Sequence, residues 1–452
     1  MTSYVRRAGR AVAVGATIAV AVSACLQNPN PTGGGGGAAG LGGYVDNGQT
    51  DGDKVVTVMG AFGGDEEKSF NASLADFTQR TGIKIQYVSD QDFTTTIKSK
   101  VKAGDSPDIG LFPQPGGIME FAAQGKVQPI DTYLDYDALK STLVPGFLDS
   151  VNYKGRVYAA PMRMAVKSIV WYNQAVYGAA GYSKNPATLQ ELAGITDQIK
   201  AGGTAPWCMG WESAQATGWV GTDWIEEYVL RLYGPEVYDQ WIYHQIPFND
   251  PRIVKAFDEV GKLIKTDGNV FGGARAILST AFAKSMLPAF ATPPSCMLER
   301  QGNFAITFFP TDIKAALDKR VGIFVFPKYE GGFKGQPILG GGDLAALFNG
   351  NDPDAQEVMK FLASDKFGGQ WAKDGGWLSP HKTFDQANYP DETTRTIAKM
   401  AYTADVFRFD GSDVMPKAVG SGSFWTGMVE WVNGTKTSQQ VCDQIESGWP
   451  KS

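Results

Sequence analysis

Trp211 and Trp219 flank Glu212 in a stretch rich in Gly, Ser and Thr, and Arg408 stands two residues before Asp410 in R-F-D-G-S-D. These residue types suit non-covalent recognition of a hydroxylated ring. An indole covers an apolar C–H face, while carboxylates, amides and guanidinium groups fix hydroxyls by paired hydrogen bonds. The chain holds 11 tryptophans and 17 tyrosines; most must serve the core, but the surplus fits carbohydrate binding. Asp65, Glu66, Asp90, Gln91, Gln114, Asp343 and Trp377 add further carboxylates, amides and an indole beside glycines or predicted strand ends.

Bond-breaking chemistry is poorly provided for. The sequence has no G-x-S-x-G, H-E-x-x-H, C-x-x-C or Walker A motif. Two histidines, His244 and His381, rule out a histidine-rich metal site and give a Ser–His triad little to use. No cofactor and no metal are expected. A pair of glycosidase carboxylates needs no local motif, so a secreted carbohydrate-active hydrolase stays open as the rival reading. Gly35, Gly37 and Gly40 match G-x-G-x-x-G, but without a preceding strand or a following helix the match is spurious.

The N-terminus predicts export. Arg6, Arg7 and Arg10 precede the apolar run Ala11–Val22, which falls short of the ~20 residues of a permanent span. The run ends in V-S-A-C, which resembles the lipobox of bacterial lipoproteins. Residues 1–24 therefore read as a signal, with Cys25 as the acylated residue. Residues 26–53, with five glycines at Gly33–Gly37, read as a flexible tether from the membrane. Without the three signal arginines, 38 basic residues face 47 acidic ones, and so acidic a chain argues against nucleic acid.

The elements that must position the site follow from periodicity. Val55–Gly60 reads as a strand, Asp65, Glu66 and Glu67 open a helix that Gly82 stops, and Ile83–Val88 alternates as a second strand. Phe93–Ala103 is helical, and Ser106–Phe112 is a turn running into a third strand. That is the βαβ grammar of a parallel sheet, whose ligands gather beyond the C-terminal strand ends. Tyr153–Tyr172 reads as a hairpin entering a long strand. A largely helical, aromatic-rich block follows to about Ala316, with Trp224 in a core-facing run. Gly322–Pro327 and Ile338–Phe348 return as strands, and helices from Ala355 and Thr393 complete the chain.

Four segments carry a family resemblance: Pro107–Ile109 with Gln114; Trp207–Ser213 running on to Thr217–Trp219 and Thr222–Glu226; Gly340–Asp343 with the strand after it; and Val406–Asp413, ending near Pro416. They resemble the extracellular solute-binding proteins of carbohydrate ABC importers, the maltose-binding-protein-like group, and within it the α-glucoside-binding lipoproteins. The resemblance implies an α/β, two-lobed periplasmic-binding-protein-like fold of type II, a hinged clamshell with the ligand between its lobes. Residues 54–165 and 337–375 would form lobe 1, and 166–336 with 376–452 lobe 2. It also implies a monomer that captures an α-linked di- or oligosaccharide, or else a polyol or other solute, outside the cell and delivers it to permease subunits.

Each candidate has a plainer alternative. Trp211 and Trp219 face sugar or pack in the core, and Glu212 accepts hydroxyls or forms a salt bridge. Asp65 and Glu66 touch ligand or cap their helix; Asp90 and Gln114 follow strand ends, while Asp108 holds its own turn. Asp343 follows three glycines that permit close backbone approach, or marks a hinge turn. Trp377 closes over the sugar or pins a crossing. Arg408 and Asp410 bind ligand together or form an ion pair. With Cys25 acylated, Cys208, Cys296 and Cys442 allow three pairings. Cys208–Cys296 is expected, since both lie in the second-lobe stretch.

Overall fold

Val55–Gly60 (β1), Lys84–Ser89 (β2) and Ile109–Phe112 (β3) are linked by the helices Asp65–Thr81 (α1) and Phe93–Ala103 (α2). β1 pairs in parallel with both β2 and β3, as the βαβ reading requires. Three carboxylates open α1, and Gly82 ends it with φ 76°, its N–H returning to the Thr78 carbonyl at 2.9 Å. Pro115–Ala123 (α3) follows β3 and begins at the strand's C-terminal end. The computed structural model describes residues 53–450; the expected signal, tether and Cys25 lie outside them.

The hairpin Asn152–Tyr153 (β4) and Arg156–Val157 (β5) leads into Ala160–Val166 (β6) and then Ile169–Asn173 (β7). Ala205–Trp207 (β8) and Cys296–Arg300 (β9) interrupt the block expected to be helical. The sheet captures these two segments, which carry little periodic signal of their own. Val321–Val325 (β10), Pro337–Leu347 (β11) and Val406–Phe409 (β12) complete the strands.

Two sheets result, one for each lobe. The larger has the order β12-β11-β3-β1-β2, with β6 also paired to β11; the smaller runs β10-β7-β9-β8. β11 uses its first half to pair with β12 and its second half to pair with β3. β12 therefore belongs to the larger sheet, although its segment was expected in lobe 2. The signal was misleading because β12 is four residues long and gains its place from β11 rather than from its own sequence.

The chain passes between the sheets at Lys167–Ser168 and at Phe326–Gln336, and leaves the larger sheet for its last helices after Phe409. Cys208 and Cys296 are joined with Cα atoms 5.2 Å apart, as expected, beside the β8–β9 pairing. Cys442 is a buried free thiol. Among the described residues no helix is long and apolar enough to cross a membrane.

Candidate functional site

A cleft of ≈ 440 Å³ opens at the C-terminal ends of the parallel strands. Gln91 and Asp92 after β2, and Gln114 after β3, form one wall. Gln215, Ser412, Asp413 and Trp425 form the facing wall. This is where an open α/β sheet gathers its ligands, and the volume lies in the range of small-molecule sites. Gln114 reaches across to hydrogen-bond the Asp413 carboxyl. The close approach of the walls needs Gly116, where a Cβ would stand 2.9 Å from the Met415 carbonyl.

Trp425 begins the helix Trp425–Val432, directly after the π-helical turn Val419–Phe424. In that turn the Ser423 N–H donates to the Ala418 carbonyl five residues back, at 3.0 Å. A π turn shifts the register of the side chains after it, a device frequent at functional sites. Here it brings a half-buried indole to the cleft.

Beneath the cleft lies a buried ionic network. The Lys167 ammonium donates to Asp223 Oδ1 at 3.0 Å and to Asp410. Asp223 faces Arg300 at 3.2 Å; Arg300 approaches Glu227 at 3.6 Å, and Glu227 accepts from Arg231. Arg231 donates to the Phe326 and Pro327 carbonyls, both at 2.7 Å. Glu226 accepts from the Gly411 and Ser412 N–H groups at 2.7 and 3.0 Å. Asp223, Glu226, Glu227 and Arg231 all come from one buried run of the helix Trp219–Ile242. That single helix therefore ties down both passages between the sheets and the exit from the last strand.

Charge is unevenly shared here. Burial pushes the Asp223 carboxyl up to about 7 against the attraction of Lys167. Burial also opposes ionisation of Asp410, but the Lys167 ammonium and hydrogen bonds outweigh it and hold the group at about 2. Asp413 is held well above the usual carboxylate range, by burial and then by repulsion from Asp410. Oxygens of Asp223, Glu226 and Asp410 converge within 4.8 Å, but the Lys167 ammonium already supplies the cation there.

The residues expected from sequence are distributed unevenly around this frame. Gln114 lines the cleft, and Asp410 lies just beneath it as the N-cap of the helix Gly411–Val414, accepting from Asp413 N–H at 3.1 Å. Trp219 is half-buried; its indole donates to Ser213 at 2.9 Å, and Lys167 lies 5.2 Å from its ring centre. Glu66 and Asp343 converge on Arg163 at 2.7 and 2.6 Å, and the guanidinium lies 4.8 Å from the Phe62 ring centre. The glycines before Asp343 serve strand packing: a Cβ on Gly342, at φ 150°, would stand 2.0 Å from the Arg163 carbonyl oxygen.

Other expected contacts are turned to structural use. Trp211 is fully buried, with its ring where a Gly221 Cβ would meet it at 2.6 Å. Trp377 is 1 % exposed, packed between Phe367 and Phe384. Neither indole has a face left for a ligand. Arg408 is clamped by Asp239 at 2.7 and 2.8 Å, the ion-pair alternative with a different partner. Glu212 holds its own turn through Ala214 N–H at 2.9 Å, and Asp90 does the same through Asp92 N–H at 2.8 Å. Asp65 is exposed and paired with Lys68 of its own helix.

Sequence reasoning missed Arg163, Lys167, Asp223, Asp413 and Trp425. Arg163 and Lys167 carried a usable signal, since two cations in an otherwise apolar run must find buried partners. Asp413 and Trp425 carried none, because a four-residue helix and a π turn set their directions.

Residues 63–368 match the family model described as bacterial extracellular solute-binding protein. The osmoprotective compounds-binding protein GgtB of Synechocystis sp. is 41 % identical over 398 residues, covering 88 % of this chain and 93 % of that protein. The alpha-glucosides-binding periplasmic protein AglE of Rhizobium meliloti is 35 % identical over 408 residues, covering 88 % and 87 %. Among solved structures, a chitin oligosaccharide binding protein shares the fold at TM-score 0.70 and 18 % identity, covering 87 % of this chain and 97 % of that one. The type II, two-lobed α/β fold and the match over most of the chain agree, and this protein belongs to the bacterial extracellular solute-binding proteins.

Proposed function

We propose that the chain is the substrate-binding component of an ABC importer, that it holds an α-linked di- or oligosaccharide in the cleft between its lobes, and that Cys25 anchors it to the outer face of the cell membrane as a lipoprotein. The observation that carries this is the cleft itself: an indole beside amide, hydroxyl and carboxyl groups, at the strand ends where such sheets hold ligands. The name of the relative AglE supports an α-glucoside. GgtB, named for osmoprotective compounds, favours a second reading in which the solute is a smaller polyol-like osmolyte.

The function in this reading is capture without chemistry. The open form admits solute, contacts from both walls stabilise the closed form, and the closed form docks on permease subunits. A thermal-shift screen of the chain against maltose, maltotriose, trehalose, sucrose, sorbitol and β-linked disaccharides tests it. A selective shift, with the solute recovered intact, supports the proposal; cleavage of the sugar would overturn it in favour of a hydrolase.

Trp425→Ala should weaken binding of the shifting solute tenfold to a hundredfold, about 1.4–2.8 kcal/mol, in isothermal titration. Unchanged affinity would remove Trp425 from the site. Asp413 distinguishes charge from hydrogen bonding. Since its carboxyl is held toward the neutral form, Asp413→Asn should keep affinity within a few-fold, whereas Asp413→Ala should lose about tenfold, near 1.4 kcal/mol. A large loss in the Asn variant would show that the ionised carboxylate is what binds.

A further inference from the structure

Beyond β8, the edge strand of the smaller sheet, the helices Leu189–Ala201 and Pro251–Ile264 flank a second cavity of ≈ 390 Å³. It shares no residue with the cleft. Trp207, Tyr228 and Tyr329 are its aromatic lining residues. Trp207 is fully buried and its indole N–H has no hydrogen-bond partner among the described residues. The hydroxyls of Tyr228 and Tyr329 make no hydrogen bond to any described residue.

The rim carries charges of both signs, Asp197 and Glu259 against Lys200 and Lys262. Glu259 is held between Lys255 and Lys262 at 2.6 and 2.7 Å. Lys200 donates to the Asp267 carbonyl and to Asn269 Oδ1 at 3.2 Å. With two carboxylates and two ammonium groups on the rim, the cavity offers an entering ion no net opposite charge. An apolar occupant would cut the two phenol hydroxyls off from water and leave them unsatisfied. A neutral molecule with an apolar face and a fringe of hydroxyls suits the lining better, because it lies against the half-buried Tyr329 ring and pairs with the two phenol hydroxyls. The volume also suits a small molecule rather than a protein segment.

We propose that this cavity is a second binding site, separate from the cleft, for a small neutral polyhydroxylated molecule of the sugar or polyol class. It does not rest on the assignment of the cleft, and the two sites are separable by mutation. Maltose, trehalose and sorbitol are titrated into the full chain at millimolar concentration, with saturation-transfer NMR and calorimetry as readouts. At least one of the three should bind at two sites. Trp425→Ala should weaken the cleft and leave the second site intact. Tyr329→Ala should abolish the second site with cleft affinity unchanged, which also shows that the variant is folded, and Tyr228→Phe should weaken it several-fold. If all three probes bind at no more than one site, and Tyr329→Ala changes nothing, the proposal is overturned. A single site lost in Tyr329→Ala but kept in Trp425→Ala would uphold it and instead refute the cleft.

Discussion

Lys167→Met should destabilise the folded protein by about 3–5 kcal/mol, the usual effect of removing one partner from a buried ion pair. Its ammonium sits between Asp223 and Asp410, all three side chains being almost wholly buried. Methionine fills similar volume but leaves the Asp410 carboxylate without its cation and Asp223 with Arg300 alone. Against a total of about 5–15 kcal/mol for a native protein, the loss should be plain in urea unfolding.

Its pH dependence has a definite sign. Asp223 is already raised to about 7 by burial, and a carboxyl so raised weighs against the fold as pH climbs from its unfolded value to its folded one. Without Lys167, Asp410 joins it, because the attraction that held Asp410 at about 2 is gone. The deficit of the variant should therefore grow as pH rises toward 7 and shrink in acid, where both groups take up protons. Adding Asp410→Asn should restore part of the loss. A deficit that is flat with pH, or no rescue by the second change, would show that the lysine acts through packing alone. Solute affinity should fall in the same variant, since the network ties the helix Trp219–Ile242 to both passages between the sheets and to the exit from the last strand.

Cys208→Ser with Cys296→Ser should lower stability by about 2–5 kcal/mol. The bridge closes a loop with a sequence separation of 88, for which loop-closure entropy gives an upper figure of about 4.6 kcal/mol. Thermal unfolding with and without dithiothreitol reads the effect. Reductant should lower the midpoint of the wild-type chain and leave the double variant where it is. Cys442 should not rescue either state by exchange. It is buried, and burial raises its thiol pKa, which keeps it out of the reactive thiolate form. Equal midpoints for wild type and double variant would mean that the bridge adds nothing to the fold.

The fold was legible where local signals repeat. α1 combines an acidic first turn, Phe70, Leu74 and Phe77 at helical spacing, and a glycine stop, and it forms within a residue or two of where those signals place it. β1, α2 and β11 follow in the same way. β8 and β12 were not legible. Strands of three and four residues have no period to read, and they exist because β9 and β11 offer them open edges.

By itself the sequence determined the class of fold, the alternation that builds the parallel sheet and the strand ends at which a ligand should sit; it narrowed the cysteines to three pairings, of which the structure forms Cys208–Cys296. Each depends on neighbours in the chain or on a short list of options. Only the tertiary structure decided which side chains reach the cleft. Trp211 and Trp377 looked like ligand faces because of their glycine-rich surroundings, but Gly221 and Gly368 leave room for the two rings in the core. Trp425 reaches the cleft because a π turn rotates it there, and Asp413 because Asp410 and Glu226 cap the short helix that carries it. Arg408 has the right chemistry, but Asp239, 169 residues away in the chain, holds it. Composition and spacing fix what a residue can do; burial and long-range partners fix what remains free to do it.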